Sequence, residues 1–109
     1  MKPVVWAGDS LLRLRVFPPE ARHDLGYQLE LVQSGEEPRT WKPMPSIGAG
    51  VSEIRARAGG AFRLIYLAKR PEAVYVLHVF QKKSRKTGRL DIELARGRLR
   101  TLLAERRQT

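Results

Sequence analysis

Cysteine is absent from this chain of 109 residues. Its absence excludes a disulfide framework, thiolate metal ligands and a thiol nucleophile, and it fits a reducing compartment. No apolar run approaches the roughly 20 residues that a membrane-spanning helix needs. Residues 1–6 also lack the apolar region and the small-residue cleavage site of a secretory signal. We therefore expect a cytoplasmic protein without a membrane partner.

Acidic residues are scarce beside basic ones. The chain has 11 Asp and Glu against 21 Lys and Arg, which gives a formal net charge of +10. Such a balance predicts a polyanionic partner, and nucleic acid gains most from it because each neutralised phosphate releases condensed counterions. On charge alone, an acidic protein or an anionic membrane surface remains an alternative.

Several motifs that carry chemistry are also missing. There is no phosphate-binding glycine motif, no paired-histidine zinc helix and no G-x-S-x-G elbow. The acidic residues are scattered or lie on predicted helix surfaces, which argues against a carboxylate cage for Mg²⁺. We expect no cofactor and no metal, so any catalysis would rest on the side chains themselves.

The N-terminal third of the chain has the pattern of a strand followed by two helices. Residues 3–6 fit a strand, and a short helix is predicted from Ser10, where Asp9-Ser10 offers an N-cap. Pro18 ends this helix and Pro19 opens the next. The second helix carries an apolar stripe and a glycine C-cap, formed by Ala21, Leu25, Leu29, Val32 and Gly35.

The remainder of the chain predicts a three-stranded antiparallel meander and a final helix. Residues 36–50 contain three prolines and no sustained period, which indicates a loop. Strand-like patterns cover residues 51–57, 61–68 and 74–81. A C-terminal helix follows the basic stretch 81–89. The predicted fold class is one α+β domain over the whole chain, with two N-terminal helices and a C-terminal helix packed on a small twisted, mostly antiparallel β-sheet.

The turn between the first two strands of the meander decides where two arginines lie. A two-residue turn at Gly59-Gly60 would place Arg55 and Arg63 on opposite faces of the sheet. We predict instead a three-residue loop that begins at Ala58, with glycine at positive φ, which places Arg55 opposite Arg63 and separates a basic face from an apolar one. Opposed arginines repel each other, which favours a bound anion between them; splayed, solvated side chains are the alternative.

A dense basic segment follows the last strand. It holds no acid and five cations, which are Lys82, Lys83, Arg85, Lys86 and Arg89. Such a run is either a solvated surface or a phosphate contact, and its place between a buried strand and a helix favours contact. Crowded cations also favour the neutral form of a lysine, so that one of Lys82, Lys83 and Lys86 is a candidate for proton transfer.

Alternation along the third strand of the meander places His78 on one face with Val74, Val76 and Phe80. A structural histidine at the edge of the core is one interpretation. The other uses the shared parity of His78, Phe80 and Lys82, which would turn a titratable ring, a stacking surface and a cation toward one nucleotide. Both interpretations stay open at the level of sequence.

Cleavage of RNA is a reaction that such residues can support without a metal. The 2′-hydroxyl is an internal nucleophile beside its phosphate, so a protein needs mainly to position it and to transfer protons. Arginine and lysine then offset the charge that accumulates in the transition state.

The motifs resemble one known family over nearly the whole chain. They are Trp41-Lys42-Pro43-Met44, Ile47-Gly48-x-Gly50-Val51-x-Glu53-Ile54-Arg55, Gly60-x-Phe62-Arg63-x-x-Tyr66 and Leu77-His78-x-Phe80-x-Lys82-Lys83-x-x-Lys86-Thr87. Their order and spacing resemble the RelE/ParE superfamily of type II toxin–antitoxin toxins, and within it the HigB-like, phage-related branch.

The resemblance implies a RelE-like domain over residues 1–109 that cleaves mRNA on the ribosome. It also implies a cognate antitoxin, commonly with a helix-turn-helix domain, that occludes the basic site. A ParE-like inhibitor of DNA gyrase and a non-catalytic RNA- or ribosome-binding module are the alternatives. The candidate catalytic residues are Arg55, Arg63, His78, Lys82, Lys83 and Lys86, and the candidate RNA-binding residues are Lys42, Arg57, Phe80, Arg85 and Arg89.

Overall fold

A five-stranded sheet organises the fold. The computed structural model describes residues 1–83 and 88–107. Its elements are β1 (Val4–Trp6), α1 (Ser10–Arg15), α2 (Pro19–Gln33), β2 (Trp41–Pro43), β3 (Val51–Arg57), β4 (Ala61–Leu67), β5 (Val74–Lys82) and α3 (Arg89–Arg107). The strand order is β1-β5-β4-β3-β2, in which β1 is parallel to β5 and the other pairs are antiparallel. The predicted α+β class, with its three helices and mostly antiparallel sheet, is confirmed.

Helices cover both faces of the sheet. On one face, the predicted apolar stripe of α2 packs on Ile54 and Leu64. On the other face, Ala95 and Leu99 of α3 pack over Leu67 and neighbouring side chains. Within residues 1–83 and 88–107, no helix is long and apolar enough to cross a membrane. The α3 side holds a second apolar core, so the predicted separation of a basic face from an apolar one applies only at one end of the sheet.

Local signals fix the helix ends with one exception. α2 begins at Pro19, as predicted, and Gly35 follows it at φ +83°, the conformation that a glycine C-cap needs. α1 begins at Ser10, but the Asp9 side chain makes no capping hydrogen bond. Its carboxylate instead accepts hydrogen bonds from Arg13 and Arg98. The predicted cap is wrong at Asp9 because charged donors compete for the same oxygens.

A short strand lies where the sequence predicts only a loop. Within residues 36–50, β2 pairs with β3, with Trp41 opposite Ile54 and Lys42 opposite Glu53. Three residues are too few to show alternation, and Pro43 is tolerated because it stands at the end of an edge strand. β2 brings Lys42 onto the same face of the sheet as Glu53.

An irregularity in β5 changes the face on which its side chains lie. Ile65 of β4 is opposite His78, but the next residue, Tyr66, is opposite Val76, so that Leu77 is an extra residue in β5. Such a bulge interrupts the two-residue period. Val76 therefore packs on the α2 side, whereas His78 lies on the α3 side with Phe80. The prediction that His78 shares a face with Val74 and Val76 is wrong for this reason.

Substitutions at two glycines test how the backbone conformation at those positions affects stability. Gly59 lies in the turn at φ +73°, and a Cβ there would meet open space. We expect Gly59→Ala to lower the free energy of unfolding by about 1 kcal/mol because an L-residue is strained at that φ. Gly26, inside α2, also has open space around a Cβ, and Gly26→Ala should raise stability by about 0.5–1 kcal/mol. Urea unfolding of both variants is the measurement, and shifts of the same sign would contradict this account.

Candidate functional site

The hairpin of β3 and β4 places the two arginines opposite each other. Arg55 pairs with Arg63, and Gly59 supplies the positive φ of the loop between the strands. The predicted three-residue loop is therefore confirmed. Arg63 in turn lies opposite Phe80 of β5. Because partners in adjacent strands point to the same face, these three side chains form one row across the sheet.

The neighbouring rows add further cations to the same face. Arg57, Ala61 and Lys82 form the row nearest the turn, and Lys42 and Glu53 belong to the row on the other side. α3 packs over the opposite end of the face, on Val51 and Leu67. We call the uncovered end the basic surface and define it by Lys42, Arg55, Arg57, Arg63 and Lys82. Its five cations come from four strands, so the sheet itself holds their backbones in place.

A buried carboxylate joins the two central arginines. Glu53 is 0% exposed, and its Oε1 lies 3.3 Å from Nε of Arg55 and 3.3 Å from Nε of Arg63. Arg55 donates a hydrogen bond to Glu53, and Arg63 donates from Nη1 to the Phe62 carbonyl at 3.1 Å. The buried Glu53 carboxylate thus orients the side chains of both arginines.

The sequence pattern does not identify Glu53 as a site residue, because the acidic residues are scattered along the chain or lie on predicted helix surfaces. It lies on β3, two residues before Arg55, and the two-residue period of a strand puts both side chains on one face. That spacing indicates that Glu53 and Arg55 are neighbours. Whether they form a buried ion pair depends on burial, and the pattern VSEIRAR is equally typical of a solvent-exposed strand.

Burial separates the roles of the two arginines. The Arg63 side chain is 6% exposed, whereas that of Arg55 is 33% exposed. Burial lowers the pKa of Arg63, Glu53 opposes this shift, and Arg55 and Arg57 add to it. An arginine stays charged even so. Arg63 is therefore a fixed cation at the floor of the basic surface, and Arg55 is a more accessible one above it.

The environment of Lys82 lowers the pKa of its side chain. It is half-buried at the end of β5. Partial burial lowers its pKa, and Arg63, Arg55 and Lys42 lower it further, while Glu53 acts in the opposite direction. Neighbouring cations thus act on the pKa of Lys82 in the direction that the basic segment predicts. The neutral amine is more available here than on an ordinary surface lysine, which makes proton transfer chemically accessible.

His78 lies beneath the basic surface and is 1% exposed. Its Nε2 is 2.7 Å from Oδ1 of Asp91 in the first turn of α3, and its Nδ1 is 3.4 Å from Nη1 of Arg98. Its ring stacks on Phe80, with centroids 5.0 Å apart. Burial lowers the pKa of His78, and Asp91 partly offsets that shift. The ring joins α3 to the row that holds Arg63.

Arg98 and Asp9 extend this connection to the N-terminal part of the chain. Arg98 donates to the Leu77 carbonyl at 2.9 Å and to Oδ1 of Asp9 at 2.7 Å. Hydrogen bonds from Arg13 and Arg98 lower the pKa of Asp9 to about 2. No local signal in the sequence assigns Asp9, Asp91 or Arg98 to the site, because their contacts join residues 13 to 89 positions apart.

A pocket of about 340 Å³ opens at the edge of β3 beside the arginines. β2 pairs only with residues 52–54, so the edge of β3 beyond them is not covered by a strand. The lining consists of Asp24, Thr40, Arg55, Ala56, Arg57 and Arg63. Asp24 and Thr40 were absent from the predicted site, since they lie on α2 and in the loop before β2.

The remaining predicted residues are spread around this centre. Phe80 is buried and stacks on the His78 ring, and Lys83 is exposed just after β5. Arg89 is exposed and pairs with Glu93 of its own helix at 3.0 Å. Arg85 and Lys86 lie outside the described residues. In the part of the chain that the structure describes, no three His, Asp or Glu side chains come together as a metal site.

The three helices and the mostly antiparallel five-stranded sheet form a RelE-like fold with a cationic site at one end. The sequence model of the family described as Phage derived protein Gp49-like (DUF891) matches residues 13–100. The chain therefore belongs to this Gp49-like family, a toxin-like, phage-derived family of the RelE/HigB-type toxin group. A toxin of this kind implies a cognate antitoxin as partner. A search of curated proteins found no match.

The ion pairs of Glu53 can be tested by removing its charge alone. We expect Glu53→Gln to lower the free energy of unfolding by about 2–4 kcal/mol, because it removes the buried carboxylate beside two arginines. Glu93→Gln, which breaks the exposed pair with Arg89, is the matched control and should change stability by less than about 1 kcal/mol. Equal unfolding midpoints for the two variants in urea would contradict the role of Glu53.

Proposed function

We propose that this protein is the toxin of a type II toxin–antitoxin system and a metal-independent endoribonuclease of the HigB-like branch. It acts in the cytoplasm on mRNA at the ribosome and stops translation, and a helix-turn-helix antitoxin restrains it. The observation that carries the proposal is the opposed pair Arg55 and Arg63, oriented by buried Glu53 within a surface of five cations. Membership in a RelE/HigB-type toxin group supports the same function.

The chemistry of the site suits transfer within an RNA phosphodiester. The 2′-oxygen bonds to phosphorus as its proton leaves, the bond from phosphorus to the 5′-oxygen breaks, and that oxygen takes up a proton. The products are a 2′,3′-cyclic phosphate and a 5′-hydroxyl. Negative charge accumulates on the phosphate oxygens during the step, and preorganised cations stabilise it. Arg63, fixed at the floor, and Arg55, opposite it, are placed to bind those oxygens.

Lys82 is the proposed proton acceptor. It lies on the same face as Arg63, one row nearer the turn, and its lowered pKa makes the neutral amine accessible. Lys83 and Lys86 are the candidate proton donors to the 5′-oxygen. The flanking cations Lys42, Arg57, Arg85 and Arg89 would bind neighbouring phosphates, which fixes the position of the strand without reading its sequence.

His78 and Phe80 have a positioning role in this proposal. Both ring nitrogens of His78 face partners on α3, and its ring stacks on buried Phe80. Through this stack, α3 holds the backbone of β5 beside Arg63. His78 therefore affects the reaction indirectly, by holding Phe80 and β5 in position.

The function can be tested by mapping the 5′ ends of a message on translating ribosomes. The wild-type protein should produce discrete cuts within codons, and Arg63→Ala should cut at least about 10²-fold more slowly because a transition-state cation is lost. Arg63→Lys should restore only part of the rate, since lysine lacks the planar fork of arginine. Arg15→Ala, which removes an exposed arginine of α1, is the matched control and should cut normally.

Two results would contradict the proposal. An intact message together with trapped gyrase–DNA complexes would assign the protein to the ParE-like class. Full cutting by folded Arg63→Ala would remove the arginine pair from catalysis. Circular dichroism and urea unfolding of each variant separate loss of catalysis from loss of fold.

The role of Lys82 can be tested by its pH dependence. Only the neutral amine accepts a proton, so wild-type cutting should rise with pH up to the lowered pKa of Lys82. Lys82→Arg keeps the charge but holds its proton, and we expect it to cut about 10²-fold more slowly or worse while binding RNA nearly as well. Lys69→Arg, at the other end of β4, serves as control. An unchanged pH profile in Lys82→Arg would overturn the assignment.

A further inference from the structure

The pocket beside the arginines contains a carboxylate that phosphate binding does not explain. Asp24 lines it together with Arg55, Arg57 and Arg63. A negative charge at this position repels a phosphate and weakens the attraction of the three cations. Among the side chains that the structure describes, those of residues 1–83 and 88–105, no cation lies within 4.0 Å of the Asp24 carboxylate. Asp24 is therefore not a partner that neutralises an arginine.

The Asp24 side chain is held in a defined position. Its Oδ1 accepts a hydrogen bond at 3.1 Å from Nε2 of Gln28, one turn further along α2. Nε2 of buried Gln28 also donates to the Arg55 carbonyl at 3.0 Å, and its Oε1 accepts from the Thr40 amide at 2.8 Å. Gln28 thus connects α2 to the edge of β3 by hydrogen bonds. The side-chain oxygen of an asparagine at position 24 would accept the same hydrogen bond from Gln28, so this connection does not need the charge of Asp24.

We propose that Asp24 recognises a base of the RNA, and that the base is guanine. This inference rests on the proposed function, since it names the nucleotide that the same pocket would accept next to the phosphate on Arg55 and Arg63. The pocket has about 340 Å³, which is near the lower end of the range of about 300–1,000 Å³ for small-molecule sites. Its lining includes both Arg63 and Asp24, so a phosphate and a base would contact different side chains of one pocket.

Guanine is the base whose hydrogen-bonding edge suits a carboxylate best. An ionised carboxylate only accepts hydrogen bonds, and its two oxygens offer about four acceptor sites. The Watson–Crick edge of guanine places the N1–H and N2–H donors side by side. Adenine and cytosine present one amino group beside an acceptor nitrogen, and uracil presents one N–H between two carbonyl groups. Single-stranded RNA exposes these edges for such readout.

The arrangement separates affinity from selectivity. The arginines would bind any phosphate, whereas the carboxylate penalises every nucleotide that does not offer donors in return. A polar group left unpaired in a site costs more than a missing apolar contact. Asp24 is therefore placed as a specificity-determining residue, while Arg55 and Arg63 carry the reaction.

The first experiment compares the cut sites of the wild-type protein, Asp24→Asn and Glu20→Gln on the same translating messages. Glu20 is an exposed acid one turn before Asp24 and outside the pocket. We expect guanine to be enriched at one position beside the cut for the wild type and for Glu20→Gln. Asp24→Asn should still cut, but this enrichment should fall to background.

The second experiment changes the RNA and needs no variant to fold. A message with inosine at the enriched guanine lacks only the N2 amino group. Wild-type cutting should fall about tenfold, the value of one hydrogen bond of roughly 1.4 kcal/mol. Asp24→Asn should discriminate less than about threefold between the two messages, which corresponds to well under 1 kcal/mol.

The outcomes distinguish this inference from the function on which it rests. No cutting by the wild-type protein would overturn the proposed ribonuclease and this inference with it. Cutting without guanine enrichment, or equal rates on guanine and inosine messages, would overturn only the role of Asp24. Loss of all cutting in a folded Asp24→Asn protein would also overturn it, because Asp24 would then serve the reaction as a whole.

Discussion

The cationic end of the sheet depends on one buried interaction, that of the Glu53 carboxylate with Arg55 and Arg63. Without an anion between them, two arginines in register across a hairpin would repel each other and turn apart. Glu53, at 0% exposure, lies 3.3 Å from both Nε atoms, and both arginines line the pocket. A buried ion pair of this kind adds little stability over apolar packing of the same volume, although removal of its carboxylate alone is costly. Its value lies in fixing the direction of two cations before a substrate arrives.

The bulge at Leu77 has a comparable effect on the other side of the site. A regular β5 would turn His78 into the apolar core beneath α2, where its polar nitrogens would lack partners. The extra residue places the ring on the α3 side instead, between Asp91 and Arg98. One local irregularity thereby joins α3 to Phe80 and, through Arg98 and Asp9, to the start of α1. The site is fixed in place by polar contacts that the apolar core could not supply.

Local rules predict much of this fold and little of its polar network. Hydrophobic periodicity and turn residues act over a few positions, and they predict the apolar stripe of α2, its glycine C-cap and the register of Arg55 with Arg63. They do not predict β2, because three residues are too few to show a period. Glu53 and Asp91 escape them because their meaning comes from burial and from partners on other elements. The same holds for Asp24, which is one of several polar residues on α2 until the edge of β3 is known to lie beside it.

Charge composition and site composition therefore carry different information. The excess of lysine and arginine indicates a polyanion and nothing more selective, since every phosphate attracts every cation. Selectivity has to come from groups that oppose binding unless they are matched, and in a chain of net charge +10 these groups are acids. Glu53 and Asp24 illustrate two ways of placing them. Glu53 is buried among cations and orients their side chains. Asp24 lines the pocket, where a bound nucleotide has to donate hydrogen bonds to its carboxylate.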